Sequence, residues 1–249
     1  MPVLGVEDPV IRAVFFDIYG TLIDIRTDEG DPWVYEVLAQ YLAYRRVTIS
    51  PDELKREFFD RVREQLRQSA EEHPEVDVYN VFDGILRNYG SAKYPKAVVE
   101  DTAMLFRSLT RRTFQLFPDL FDTLDVLRSS YRTAVISDAQ WVFTEPETSI
   151  LGIDRRFPFM LLSSRLGYKK PDTRLFVAAM DRLGVKAYES VYIGDNPHRD
   201  LVGAKMSGMR FILFRGDCRD YNGFRPDACF GEYRDLPAVL EKLDEKSPR

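Results

Sequence analysis

A chain of 249 residues, with 45% hydrophobic and 30% charged residues, has the composition of a globular protein and the length of one α/β domain plus an insertion. Its 35 basic and 40 acidic residues give a net charge of −5, which leaves no overall positive field to attract nucleic acid or an anionic membrane. The first ten residues lack the apolar region of a signal peptide, and no run approaches the ~18 apolar residues of a membrane span, so we expect a cytoplasmic protein.

The first predicted element is a strand over Ala13-Val14-Phe15-Phe16, whose apolar side chains predict burial on both faces of a sheet. Asp17 follows directly, at the strand end where open α/β sheets bind their ligands. Gly20 permits a tight turn close to a ligand, and Thr21 adds a hydroxyl group. An aspartate in this place can act as a nucleophile or can simply cap the next turn, and this segment alone leaves both open.

The segment from about residue 31 to 112 has a helical pattern and no convincing strand. Helices are predicted from Asp31-Pro32 onward, over about 50–69, near 77–89 and over 95–112. Ser50 is the predicted N-cap of the second helix, and Glu53 is placed to close a capping box. Residues 26–112 are therefore predicted to form an α-helical cap domain, inserted into a core domain made of residues 1–25 and 113–249.

From residue 118 onward, strands and helices alternate. The predicted order is a helix over 118–130, strands over 133–136 and 159–162, a helix near 172–183, a strand over 191–193, a helix near 199–207 and a strand over 211–214. Such alternation predicts an α/β fold, a three-layer Rossmann-like core with a mostly parallel sheet. The charged tail after about residue 242 is expected to fray. Cys218 and Cys229 show no metal-ligand spacing, and we expect them to be reduced thiols.

Polar residues follow several of the predicted strands. Ser137 ends the second strand, Lys170 precedes the next helix, and Asp195 and Asp200 follow the strand over 191–193. Because the carboxyl ends of parallel strands lie at one edge of the sheet, these side chains are expected to converge with Asp17. Taken singly, Ser137 is also a plausible helix cap, and the adjacent Lys169 offers the same charge as Lys170.

Together these segments resemble the four signatures of the haloacid dehalogenase (HAD) superfamily, in the expected order. Asp17-Ile18-Tyr19-Gly20-Thr21 resembles the first, Ser137 the second, Lys170 before Pro171 the third, and Gly194-Asp195 with Asp200 the fourth. The resemblance implies that Asp17 is the nucleophile, that Thr21, Ser137 and Lys170 bind the phosphoryl group, and that Asp17, Asp195 and the Tyr19 carbonyl bind Mg²⁺. Gly194 and Asp200 would support the site.

Tyr19 departs from the phosphatase pattern, which has a second aspartate there as acid and base; Asp-x-Tyr is the form found in the dehalogenases of the superfamily. The acidic fourth signature is the phosphatase form, and two carboxylates with one lysine need a cation to accept phosphate. We therefore expect a magnesium-dependent hydrolase of small phosphomonoesters. The alternatives are a metal-independent 2-haloacid dehalogenase and a ligand-binding protein with little turnover.

The group that replaces the missing aspartate is a separate question. A tyrosine, with an ordinary pKa of ~10, can donate a proton but is a poor base at neutral pH. The acidic residues after Thr21 offer a second hypothesis, and they are Asp24, Asp28, Glu29 and Asp31. The expected partner is a small phosphorylated metabolite, and no heptad pattern or large apolar stripe indicates an oligomeric state.

Overall fold

A computed structural model describes residues 11–90 and 93–245. The strands, in chain order, are β1 (Ala13–Phe16), β2 (Ile23–Thr27), β3 (Arg111–Leu116), β4 (Arg132–Ser137), β5 (Met160–Leu162), β6 (Ser190–Gly194), β7 (Arg210–Phe214) and β8 (Ala228–Phe230). Six of them form a parallel sheet in the order β5-β4-β1-β6-β7-β8. The predicted α/β fold with a mostly parallel sheet is confirmed.

The helices, in chain order, are α1 (Pro32–Tyr44), α2 (Pro51–Gln68), α3 (Val78–Tyr89), α4 (Lys96–Thr110), α5 (Leu120–Leu127), α6 (Trp141–Leu151), α7 (Thr173–Leu183), α8 (Val202–Met206) and α9 (Leu236–Glu245). A π-helical turn, Pro197–Leu201, leads into α8. Ser50 caps α2, as predicted, by accepting a hydrogen bond from the Glu53 N–H at 3.3 Å. The Glu53 carboxylate accepts instead from the Tyr89 hydroxyl.

Strand β1 lies at the centre of the sheet and is buried on both faces, as its apolar run predicts. Val14 and Phe16 point into one hydrophobic cluster, and Ala13 and Phe15 point into the other. The first cluster extends into the helices α1–α4, where the Phe58 and Phe106 rings lie with their centroids 4.6 Å apart. The helical segment and the sheet therefore share one continuous apolar interior.

A two-stranded antiparallel sheet of β2 and β3 was not predicted from the sequence. Strand β2 precedes α1 and strand β3 follows α4, so their pairing joins the two connections between the parallel sheet and the helical segment. Strand β3 begins at Arg111, inside the helix predicted over 95–112, so that part of the prediction was wrong. Its sequence, Arg-Arg-Thr-Phe-Gln-Leu, contains no apolar run that would indicate a strand, and none of its residues is fully buried.

Two further expectations differ from the structure. Cys218 and Cys229 form a disulfide with their Cα atoms 5.8 Å apart, because β8 returns alongside β7 and brings Cys229 to the loop that carries Cys218. The expectation of reduced thiols was wrong. Helix α9 runs to Glu245, past residue 242 where fraying was expected to begin, since Leu236 and Leu240 are buried, and residues 246–249 lie outside the described part of the chain. Within 11–90 and 93–245, no helix is both long enough and apolar enough to cross a membrane.

Candidate active site

The predicted site residues come from different segments that meet at one edge of the parallel sheet. Asp17 directly follows β1, and its N–H donates to the Ile193 carbonyl of β6 at 2.9 Å. Ser137 is the last residue of β4, Asp195 directly follows β6, and Lys170 lies in the loop before α7. The parallel pairing of β1 with β4 and β6 places these strand ends side by side.

Lys170 lies between two carboxylates in the interior. Its Nζ is 3.1 Å from Asp17 Oδ1 and 2.7 Å from Asp200 Oδ1, and its side chain is 1% exposed. It also donates to the Tyr192 hydroxyl at 2.9 Å, and that hydroxyl donates to the Ile136 carbonyl. Burial opposes the charge on Lys170, but Asp17 and Asp200 outweigh it and hold its pKa well above the ordinary value. Lys170 is therefore a fixed cation.

Asp200 closes the loop that follows β6. Its Oδ2 accepts from the Asn196 N–H at 3.0 Å, and burial raises its pKa while Lys170 opposes that rise. A Cβ atom on Gly194 would lie 2.3 Å from the same Oδ2, so the loop can close this tightly only with glycine at that position.

Among the described residues, no cationic side chain forms an ion pair with the Asp195 carboxylate at this edge. It is exposed, and among the described residues its side chain has a hydrogen bond only from Thr21 Oγ1, at 3.3 Å. Partial desolvation by the surrounding protein and the charge of Asp17 raise its pKa. Carboxylate oxygens of Asp17, Asp195 and Asp200 lie within 4.8 Å of one another. Such a set of hard oxygen donors, with more negative charge than Lys170 offsets, fits a magnesium ion.

Ser137 and Thr21 are both fully buried beside Asp17. Within the described residues, the Ser137 hydroxyl has no hydrogen-bond partner, so it is free to donate to a ligand. The Thr21 carbonyl accepts from the buried Tyr233 hydroxyl at 2.7 Å, which ties the loop after Asp17 to the far end of the chain.

The Tyr19 side chain is engaged by the protein itself. Its hydroxyl donates to Glu147 Oε2 at 2.5 Å and lies 3.0 Å from Thr144 Oγ1, both on α6. Burial and the Glu147 charge raise the pKa of Tyr19 far above its ordinary value. The phenol is therefore a neutral donor whose proton already has an acceptor.

A cavity of about 410 Å³ lies between the helical segment and the sheet, next to Tyr19. Its walls include Phe58 and Phe59 from α2, Phe143 from α6, and Arg107 from α4. Of the four acidic residues after Thr21, Glu29 lines this cavity, whereas the described contacts of the others lead elsewhere. Asp24 accepts from Gln115, Asp28 from the Gly30 N–H, and Asp31 caps α1 and pairs with Arg112.

Two further residues lie at the border of the site. Lys169 lines the cavity and is half-buried, but within the described residues it has no ion pair, unlike Lys170. His198 is exposed on the loop after Asp195, with its ring centroid 6.4 Å from that of Tyr221.

Several residues that shape the site were not found from the sequence, and they are Arg107, Glu147, Thr144, Tyr192 and Tyr233. Tyr192 is in the strand before Asp195, but its apolar neighbours gave it only a packing role. Glu147 lies on α6, which was not predicted, because Pro146 interrupts the helical pattern there. No local signal distinguishes Arg107 or Tyr233 from other residues of their helices and turns.

Comparison with known proteins places these features in context. A sequence profile of the haloacid dehalogenase-like hydrolases matches residues 11–208. The glyceraldehyde 3-phosphate phosphatase of Methanopyrus kandleri is 28% identical over 207 residues, which cover 83% of this chain and 84% of the relative. The phosphoserine phosphatase of Thermus thermophilus is 29% identical over 158 residues, covering 63% and 62%. A solved 2-haloacid dehalogenase from Pseudomonas syringae superposes with a TM-score of 0.67 at 25% identity, covering 94% of this chain and 99% of that one.

Proposed function

The chain belongs to the haloacid dehalogenase-like hydrolases, and from that premise we propose that it is a magnesium-dependent phosphatase of small phosphomonoesters. The observation that carries the proposal is Asp195 beside Asp17, an exposed carboxylate that has no cationic partner in the part of the chain that the structure describes. A phosphate dianion could approach these carboxylates only if a cation joined them. The phosphatase relatives support the same reaction class.

The proposed division of the chain follows from the same geometry. Residues 26–112 serve as the cap, and residues 1–25 and 113–249 as the core. The cavity between them would hold the carbon part of the substrate, with the phosphate toward Asp17. A volume of about 410 Å³ fits a small metabolite rather than a phosphoprotein segment. Closure of the cap would exclude water from the reacting phosphate.

In the proposed reaction, an Asp17 oxygen attacks phosphorus and forms an aspartyl-phosphate as the ester P–O bond breaks. Ser137 and Thr21 donate hydrogen bonds to the phosphoryl oxygens, and Lys170 holds its positive charge beside them. Magnesium, held by Asp17, Asp195 and the Tyr19 carbonyl with support from Asp200, would supply further positive charge. Water then attacks phosphorus as the P–O bond to Asp17 breaks, and a proton of that water passes to the group that protonated the leaving oxygen, so that inorganic phosphate is released and Asp17 is restored.

The leaving oxygen must gain a proton in the first step. Tyr19 is a poor donor for it, because its hydroxyl already donates a hydrogen bond to Glu147. Glu29 is better placed, since it lines the cavity and desolvation raises its pKa. We propose Glu29 as the general acid that takes the place of the missing aspartate.

The second candidate function is hydrolysis of 2-haloacids. It is favoured by Tyr19 in the first signature and by the likeness to the Pseudomonas syringae dehalogenase. It is disfavoured by Asp195, whose charge beside Asp17 would repel a carboxylate substrate. The third candidate, binding without turnover, rests on the same departure at Tyr19.

The test is hydrolysis of p-nitrophenyl phosphate with magnesium, with EDTA, and by the variant Asp17→Asn. Release that needs magnesium and disappears in Asp17→Asn is the expected result. Asp24→Asn is the matched control, because that aspartate contacts Gln115 of the neighbouring strand β3. This substitution is predicted to leave the rate unchanged. Chloride release from 2-chloropropionate in EDTA would establish the dehalogenase instead. If the protein shows neither activity but still binds phosphate, the result supports the role of binding without turnover.

A further inference from the structure

A buried ion pair connects the helical segment to the loop that follows Asp17. Arg107, near the end of α4, donates through Nε to Glu147 Oε1 at 2.7 Å and through Nη2 to Glu147 Oε2 at 3.2 Å. The two side chains are only 12% and 4% exposed. Glu147 lies on α6, beside the sheet, so the pair spans the junction between the two parts of the molecule.

The same pair holds Tyr19 from two directions. Glu147 Oε2 accepts a hydrogen bond from the Tyr19 hydroxyl, and the Arg107 guanidinium lies 5.2 Å from the centre of the Tyr19 ring. A hydrogen bond to a charged acceptor away from water is stronger than one between neutral groups, and a cation over an aromatic face adds to it. The Tyr19 side chain therefore has little freedom to move.

Movement of Tyr19 would be transmitted to Asp17 because the intervening turn is tight. The Ile18 carbonyl accepts from the backbone N–H groups of Thr21, Leu22 and Ile23, at 3.2, 2.7 and 2.9 Å. The Ile18 N–H in turn donates to Asp17 Oδ1 at 2.8 Å. The nucleophile, the Tyr19 carbonyl and the Tyr19 side chain thus belong to one rigid turn.

We propose that Arg107 and Glu147 are positioning residues, which fix the turn of residues 17–21 through the Tyr19 side chain when the helical segment is docked. The inference rests on the proposed phosphatase function for its kinetic consequences. In this account the Tyr19 side chain does not act as an acid but holds the turn in place, and Arg107 of α4 helps to fix that side chain. Docking of the helical segment and arrangement of the nucleophile are thereby linked.

The test is a double-mutant cycle with Tyr19→Phe, Glu147→Gln and the double variant, measured by kinetics and by hydrogen exchange. Each single variant is expected to lower kcat about 10-fold with little change in KM, the scale of one charge-assisted hydrogen bond. Because Glu147 acts through Tyr19, the double variant is expected to be no slower than either single one. Exchange of the amides of residues 17–23 is expected to quicken by a similar factor in all three.

The matched control is Glu71→Gln. It removes the ion pair between Glu71 and Arg174, which also joins the α2–α3 connection to a helix beside the sheet but has no described contact with Tyr19. We expect unchanged kcat and unchanged exchange over residues 17–23. If Glu147→Gln does not fold, Arg107→Met/Glu147→Gln, which removes both charges, takes its place in the cycle.

Losses that multiply in the double variant, or unchanged exchange over residues 17–23 in Tyr19→Phe, would overturn the inference. The exchange measurement needs no substrate, so it decides the question even if the wild-type protein hydrolyses no phosphate ester. The absence of phosphate-ester hydrolysis by the wild-type protein would contradict the proposed function but not the positioning role of Arg107 and Glu147.

Discussion

The carboxylate of Asp195 lies against the backbone of Gly20. A Cβ atom on Gly20 would stand 2.4 Å from Asp195 Oδ2, and Gly20 has a φ of +82°, where a side chain is strained. The two signatures that carry Asp17 and Asp195 are thus packed in contact, with no room for a methyl group between them. This close approach sets the spacing of the carboxylates that we propose as magnesium ligands.

Gly20→Ala is therefore predicted to lower kcat/KM by on the order of 100-fold, because a shift of about 1 Å at a reacting group has that effect. Steady-state hydrolysis of p-nitrophenyl phosphate across a magnesium titration measures it, and a higher half-saturating magnesium concentration is expected as well. Gly231→Ala is the control, since its Cβ would meet no atom of the described residues within 4 Å apart from its chain neighbours. Wild-type kinetics in Gly20→Ala would show that the contact does not set the site.

Lys170→Met is predicted to lower both activity and stability. The substitution leaves Asp17 and Asp200 buried without their cation, a loss that costs about 3–5 kcal/mol in comparable buried pairs. We expect kcat/KM to fall by about 10³-fold, and urea unfolding to show the stability change. Lys169→Met is the matched control, because that neighbouring lysine has no ion pair in the described part of the chain. Equal losses in both variants would count against the assignment of Lys170.

Glu29→Gln is predicted to act according to the leaving group. A general acid contributes about 10²–10⁴-fold, so we expect a loss of that order with an alkyl phosphate such as glycerol 3-phosphate. p-Nitrophenolate leaves without a proton, and its release is expected to change little. Asp28→Asn is the control, since its carboxylate caps the Gly30 N–H. Equal losses on both substrates would exclude Glu29 as the acid.

The pH dependence gives an independent reading of Glu29, whose pKa is raised by desolvation while Arg107 opposes the rise. The acid must be protonated, so the rate with an alkyl phosphate should fall as pH rises through that pKa, and this limb should be absent in Glu29→Gln.

The folded state holds the Glu29 proton more tightly than the unfolded state does. Stability is therefore lost as pH rises through the same range, and Glu29→Gln is predicted to be more stable at neutral pH. Urea unfolding at two pH values measures it.

Cys218→Ser is predicted to lower the free energy of unfolding by about 2–4 kcal/mol when the protein is kept oxidised. Dithiothreitol should lower the stability of the wild-type protein by the same amount and leave Cys218→Ser unchanged. Unfolding in urea with and without the reductant makes the comparison. A wild-type protein indifferent to dithiothreitol would show that the disulfide does not form in solution.

The sequence predicted the parts of the fold that depend on local pattern. The apolar run of β1, the N-cap at Ser50 and the alternation after residue 118 all indicate elements without knowledge of the rest of the chain. The antiparallel pair of β2 and β3 was missed because its strands are half-buried, and α6 was missed because Pro146 lies inside it. Both errors fall where tertiary packing, rather than the period of the hydrophobic residues, maintains the element.

The sequence by itself determined which polar residues stand at the ends of the parallel strands, because strand direction alone brings Asp17, Ser137 and Asp195 to one edge. Only the tertiary structure decided what surrounds them. Tyr19 meets Glu147 across 128 residues of sequence, Arg107 joins them from α4, and Glu29 rather than its acidic neighbours lines the cavity. The reason is physical: charge pairing and desolvation depend on distances in space, and no periodicity along the chain records them.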